Sequence, residues 1–277
     1  MRRVHGIRLA IAMSGLLAAC TSAAPPAIAP SPTSTAAVPT PQVANGPERI
    51  VARAAIGRPP QPSIAAAPRA DLVPDHCVDR DLQAPPVTDA VMTVLDRSYA
   101  LPAGYVPDDL VAASAAGITG ASGAELVTAA LVDDLADMAT AWEAAGLTIT
   151  IESGYRTYAA QAATFDSWVA QLGYADAVGR AARPGHSEHQ LGTALDLTSP
   201  GWSGRFGDWA IESAEGAWMA AHGWEFGFVM SYPAGSQDAT CFSYEPWHYR
   251  WIGREAAAAH RASGLDLRRF LERYVGT

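Results

Sequence analysis

Lysine is absent from this chain: all 19 basic residues are arginine, set against 28 acidic ones for a net charge of -9. With no basic patch and an acidic balance, nucleic acid and polyphosphate are excluded as partners. Arginine-only usage assigns no function by itself. Long apolar runs are also missing, and the run Leu9 to Leu17 is too short to span a bilayer. No internal repeat is visible. Cysteine is scarce, at three residues, so position matters more than number. What is present, 49% hydrophobic and 17% charged residues over 277, is ordinary globular material, for one domain or two at the limit.

Arg2, Arg3 and Arg8 precede the Leu9 to Leu17 run, the pattern of an export signal. Its end, Leu17-Ala-Ala-Cys20, resembles the bacterial lipobox, which makes residues 1–20 a signal peptide and Cys20 the lipidated residue. A plain signal peptide cut among the small residues from Ala18 to Ala24 is the alternative. Residues 21–67 are Ala, Pro, Ser and Thr with almost no aromatics, which cannot bury a core and read as a disordered tether. The folded domain is then 68–277, anchored outside the cell membrane by lipid and expected to be a monomer. Outside the cell a disulfide between Cys77 and Cys241 is favoured, closing a loop for which chain entropy predicts about 4 to 5 kcal/mol. Cys241 as a metal ligand is the competing reading.

Periodicity predicts helices over 87–99, 124–145, 158–172, 209–222, 254–262 and 267–274, with Thr157 and Asp266 as N-caps and Gly146, Gly173 and Gly264 as stops. Strands are predicted over 147–152, 191–197, 224–231 and 244–251. The irregular order favours α+β: a small, mostly antiparallel sheet flanked by helices.

Two stretches carry chemistry. In a strand from Leu191 to Leu197, Leu191, Thr193, Leu195 and Leu197 face a core, while Gly192, Ala194 and Asp196 leave a cavity floored by a carboxylate. His189 can reach the same space, and imidazole with carboxylate suits zinc. Tyr244-Glu-Pro-Trp-His-Tyr-Arg250 supplies His248 as a third ligand and Glu245 as a general base. The two are three apart, on opposite faces of a regular strand, but Pro246 marks a bulge or strand entry that can turn both toward one cavity. A lone His or Glu among aromatics is more often a satisfied structural group; two converging stretches shift that balance.

Ser187-Glu-His-Gln-Leu-Gly-Thr-Ala-Leu-Asp196 and Glu245-Pro-Trp-His248, with Ser153-Gly-Tyr-Arg-Thr-Tyr158 upstream, resemble the VanY-like D-alanyl-D-alanine carboxypeptidases, zinc peptidases of bacterial cell walls. The resemblance runs from about Leu82 to Tyr274 and implies a hedgehog/D,D-peptidase-like fold. It implies Zn2+ held by His189, Asp196 and His248, with Glu245 as catalytic base and Arg156 contacting substrate near the scissile carbonyl or terminal carboxylate. Ser187, Gln161, Tyr155 and Trp247 are the implied or candidate substrate contacts, and His186, outside the ligand pattern, is a structural or pocket-wall residue. Ser231 departs from the family, which usually has a basic residue there. The expected activity is removal of the terminal D-alanine from peptidoglycan stem peptides. The alternatives are an L,D-carboxypeptidase, a D-Ala-D-Ala dipeptidase, a wall endopeptidase, or a wall-binding lipoprotein that uses zinc only for stability.

Overall fold

The computed structural model describes residues 77–84, 90–202 and 206–274. The expectations for residues 1–67, including the signal segment, the lipobox at Cys20 and the tether, lie outside the described residues. No helix among those described is long and apolar enough to cross a membrane.

In chain order the strands are β1 (Leu82–Gln83), β2 (Tyr99–Ala100), β3 (Leu110–Ala112), β4 (Leu126–Thr128), β5 (Thr150–Ser153), β6 (Ala194–Thr198), β7 (Phe228–Met230) and β8 (His248–Trp251). The α-helices are α1 (Val132–Ala144), α2 (Tyr158–Leu172), α3 (Tyr174–Ala177), α4 (Trp209–Glu212), α5 (Ala214–His222), α6 (Gln237–Thr240), α7 (Arg254–Ser263) and α8 (Leu267–Tyr274). The central sheet is antiparallel with order β5-β6-β8-β7, while β1-β2 form a short parallel pair and β3-β4 an antiparallel one. This is the expected α+β architecture.

Alternation along β6 and β8 gives the central sheet two different faces. Leu195, Leu197, Tyr249 and Trp251 are buried on one face in a cluster with Leu131, Leu135, Met138 and Trp142 from α1 and the turn before it. Each such side chain contributes about 1.5–3 kcal/mol by leaving water. Asp196, His248 and Arg250 alternate onto the other face. The apolar side therefore fixes the register that the polar side uses.

Several expected elements are shorter or different. Residues 85–89 are outside the described set, and the rest of the 87–99 helix is one 3-10 turn, Ala90–Met92, followed by a loop into β2. The cause is Asp96, whose Oδ1 accepts the backbone N–H groups of Ser98 at 2.7 Å and Tyr99 at 2.8 Å, a local turn that competes with helix. Over 124–145 the first part is β4, where Val127 is fully buried and pairs with Val111, and the helix begins only at Val132. Ser213 splits the 209–222 helix: its backbone is extended and its Oγ caps Gly216 N–H at 2.9 Å. The strands expected at 147–152, 224–231 and 244–251 shrink to Thr150–Ser153, Phe228–Met230 and His248–Trp251. Thr157, Asp266 and Gly264 act as expected at their helix ends.

Cys77 and Cys241 form a disulfide with a Cα–Cα distance of 5.4 Å across 164 residues of chain. The alternative of Cys241 as a metal ligand is thereby overturned, because its sulfur is already bonded.

Candidate metal centre

The strand expected over 191–197 starts later, at Ala194, because Glu188–Leu191 form a 3-10 turn closed by Gly192 at φ +73. A side chain at Gly192 would press on Thr128 and Leu110 at 3.0–3.1 Å. Contrary to expectation, neither Gly192 nor Ala194 lines the cavity of ≈ 240 Å3, which lies over Asp196 and is bounded by His189, His248, Glu245 and Arg156.

Three elements bring the donors together. Asp196 sits mid-strand in β6 and pairs directly with His248, the first residue of β8. On its other side, a register shift between Ile151 and Ser153 leaves Glu152 extra and sets Ser153 opposite Asp196, as a β-bulge does. His189 comes from the 3-10 turn, and its Nδ1 donates to the Gly154 carbonyl at 2.7 Å. That bond leaves Nε2 bare, 3.1 Å from Asp196 Oδ2. Gly154 is required there, since a Cβ would lie 2.4 Å from the Leu126 carbonyl oxygen. His248 Nδ1 stands 2.9 Å from Asp196 Oδ1, and its Nε2 stands 3.0 Å from Glu188 Oε2.

The ligand atoms of His189, Asp196 and His248 all lie within 4.8 Å of one another. A tetrahedral zinc ion with bonds of ~2.0–2.2 Å spaces its ligands ~3.3–3.6 Å apart, so the set needs little movement. Its electrostatics also fit a cation. Burial raises the Asp196 carboxyl, but His189 and His248 overcome this and hold it well below the carboxylate range. Burial depresses His248, yet bonds to Asp196 and Glu188 push it up to about 10. The buried Glu188 and the partly buried Asp196 thus favour positive charge at this position. His189 is pushed down, chiefly by burial.

Glu245 stands at the cavity wall on a turn in which its N–H donates to the Tyr232 carbonyl at 3.0 Å and its own carbonyl accepts His248 N–H at 3.1 Å. This turn, entered through Pro246, puts Glu245 and His248 on one cavity, as the proline suggested. Burial pushes the Glu245 carboxyl up to about 8, which suits a proton carrier. Arg156 is fixed by Gln161 Oε1 at 2.7 Å, Ser153 Oγ at 3.0 Å and Asp196 Oδ2 at 3.5 Å.

Ser187 and Trp247 line the cavity as expected. Gln161 also lines it, but its amide is committed to Arg156 and, through Nε2, to the Ala182 carbonyl at 2.7 Å. Within the structure these bonds make it a holder of Arg156. Tyr155 is not brought to the cavity: in the extended segment the neighbours Gly154 and Arg156 serve the site, and the Tyr155 hydroxyl is buried without a partner among the described residues. His186 is structural, with Nδ1 at 2.6 Å from the Asp96 carbonyl and Nε2 at 3.2 Å from Asp81 Oδ1.

Sequence reasoning missed Glu188, Tyr232 and Arg180, which also line the cavity. Tyr232 stacks on His248 with ring centroids 5.1 Å apart. Glu188 was open to detection as a charge beside His189 matched by Arg250 two residues after His248. Ser231, the departure from the family pattern, is buried and donates to Glu188 Oε2 at 2.6 Å. A larger cavity of ≈ 660 Å3, lined by Trp142, Thr150, Glu152 and Thr198, holds none of the proposed ligands or bases.

The family described as VanY, D-alanyl-D-alanine carboxypeptidase, matches residues 124–254. The Bacillus subtilis (strain 168) protein YodJ is 31% identical over 184 residues, 66% of this chain and 67% of its own length. Among solved structures, the LdcB LD-carboxypeptidase superposes with a TM-score of 0.60 at 30% identity, covering 66% of this chain and 86% of its own. A variant of the vancomycin resistance D,D-pentapeptidase VanY from a VanB-type cassette, in complex with Zn(II), gives 0.55 at 30% identity and covers 66% and 99%.

Proposed function

The chain belongs to the VanY D-alanyl-D-alanine carboxypeptidase family, and from that membership we propose that it is a zinc-dependent D,D-carboxypeptidase that removes the terminal D-alanine from peptidoglycan stem peptides. The convergence of His189, Asp196 and His248 on the wall that also bears Glu245 carries this reading. Those three residues hold the metal in it. Zinc in such a site acts as a Lewis acid toward a carbonyl and lowers the pKa of water toward about 7.

The chain's own residues do the rest. Arg156, permanently charged and held in place by Gln161 and Ser153, presents donors to the scissile carbonyl or the terminal carboxylate. Glu245 accepts a proton from the attacking water and returns it to the nitrogen of the departing D-alanine. Ser187 and Trp247 border the substrate. Action is extracytoplasmic. Residues 1–20 form the export signal, Cys20 the lipid attachment, 21–67 the tether and 68–277 the catalytic domain. The basic residues ahead of a short apolar run support that arrangement.

The likeness to an LD-carboxypeptidase favours a second reading, with the same centre acting on a tetrapeptide. Mass spectrometry of products from a pentapeptide ending in D-Ala-D-Ala, and from the tetrapeptide, separates the two. Loss of one alanine from the pentapeptide, abolished by chelator and restored by zinc, is the expected result. Cleavage of the tetrapeptide alone would replace it with the second reading.

A further inference from the structure

Glu188 is a buried carboxylate beside the centre that the catalytic steps do not use. Only 5% exposed, it accepts from Ser231 Oγ at 2.6 Å and meets His248 Nε2 at 3.0 Å through Oε2, and accepts Arg250 Nη1 at 2.8 Å through Oε1. Arg250 is fully buried and donates its Nη2 to the carbonyls of Val91 at 2.9 Å and Thr93 at 2.6 Å. The carboxylate is therefore held at both oxygens, Oε2 by Ser231 and Oε1 by a guanidinium that is itself anchored on two backbone carbonyls.

We propose that Glu188 is a positioning residue for His248: by taking the N–H at Nε2 it keeps the proton there and presents the Nδ1 lone pair, opposite Asp196, to the metal. The inference rests on the ligand set given above. His189 supplies the contrast, because its second nitrogen is held by a neutral carbonyl, that of Gly154. The two imidazoles are thus unequal. The one backed by an ionised carboxylate is the stronger donor, and partners of this kind are worth about 10–100-fold in metal affinity. Arg250 holds the other oxygen of that carboxylate at 2.8 Å, so the Glu188–Arg250 pair and the ligand form one unit.

A purely structural ion pair between Glu188 and Arg250 is the competing explanation, and two substitutions distinguish it. Glu188→Gln keeps the shape and removes the charge; Glu188→Asp keeps the charge near Arg250 and withdraws it from His248. Zinc affinity, measured by competition with a chromophoric chelator, is expected to fall about 10–100-fold in both, and 15N NMR of the zinc-loaded proteins to show His248 losing its fixed Nε2 proton. If Glu188→Gln does not fold, Glu188→Asp decides. A folded variant with wild-type zinc affinity and an unchanged His248 tautomer would overturn the inference while leaving the ligand set standing. A wild-type protein that takes up no zinc would overturn both.

Discussion

Asp196 and His248 are directly opposed on adjacent antiparallel strands, and each presents its side chain to the same face, with Asp196 Oδ1 2.9 Å from His248 Nδ1. Sheet register thus places two donors from segments 52 residues apart, and the core residues Leu195 and Tyr249, paired on the opposite face, hold that register. A slip of one residue would bury the carboxylate in the apolar core.

Asp196→Ala therefore removes the donor both imidazoles face. We expect loss of bound zinc and of turnover, while the fold, judged by circular dichroism, persists. Atomic absorption on the dialysed variant makes the check; stoichiometric zinc would rule out Asp196 as a ligand.

Glu245→Gln is expected to retain zinc and lose turnover by about 10²–10⁴-fold, the usual share of a general base. Turnover within a few-fold of wild type would remove Glu245 from the mechanism.

The same substitution has a pH signature in the metal-free protein. Burial raises the Glu245 carboxyl from 4.5 to about 8, so its proton is held more tightly in the folded than in the unfolded chain. The associated stability is fully present below pH 4.5 and is lost as pH rises through about 8. Glutamine does not titrate. The variant should match wild type near pH 4.5 and exceed it by about 1–3 kcal/mol above pH 8, read from denaturant midpoints in chelator; a pH-independent difference would show that burial does not govern this group.

Gln161→Leu frees Arg156 from its 2.7 Å anchor. We expect kcat/KM to fall about 10–150-fold, equivalent to one lost hydrogen bond to a charged group of ~1.5–3 kcal/mol, with zinc content unchanged. An unaltered kcat/KM would mean that Ser153 and Asp196 suffice to place the guanidinium.

Replacing Cys77 and Cys241 by serine should lower stability by about 2–5 kcal/mol and leave zinc affinity in place, since the sulfurs are bonded to each other and neither cysteine lines the cavity. Urea midpoints under non-reducing conditions check the first part, and chelator competition the second.

The convergence of His189, Asp196, His248 and Glu245 on one cavity was legible because each lies in a short motif whose local chemistry is visible: a carboxylate between leucines, and a proline that redirects Glu245. The helix expected over 87–99 failed because Asp96 bonds backbone N–H groups two and three residues ahead, which apolar periodicity does not register. The strand Leu126–Thr128 hid inside an Ala-rich helical pattern because its partner is Leu110–Ala112 and its register is set between segments. The structural parts played by Glu188 and Gln161 were hidden for a related reason. Their decisive partners lie at Ser231, His248, Arg250 and Ala182, so only the folded chain reveals what they hold.

The two carboxylates flanking His248 also determine what metal uptake exchanges. Without an ion, bonds to Asp196 and Glu188 keep the imidazole protonated up to about pH 10; a ligand nitrogen must be bare. Filling the centre at neutral pH is consequently a trade of a proton for a metal ion. Loading acidifies an unbuffered solution, and acidic surroundings compete with the metal for the very nitrogen it needs.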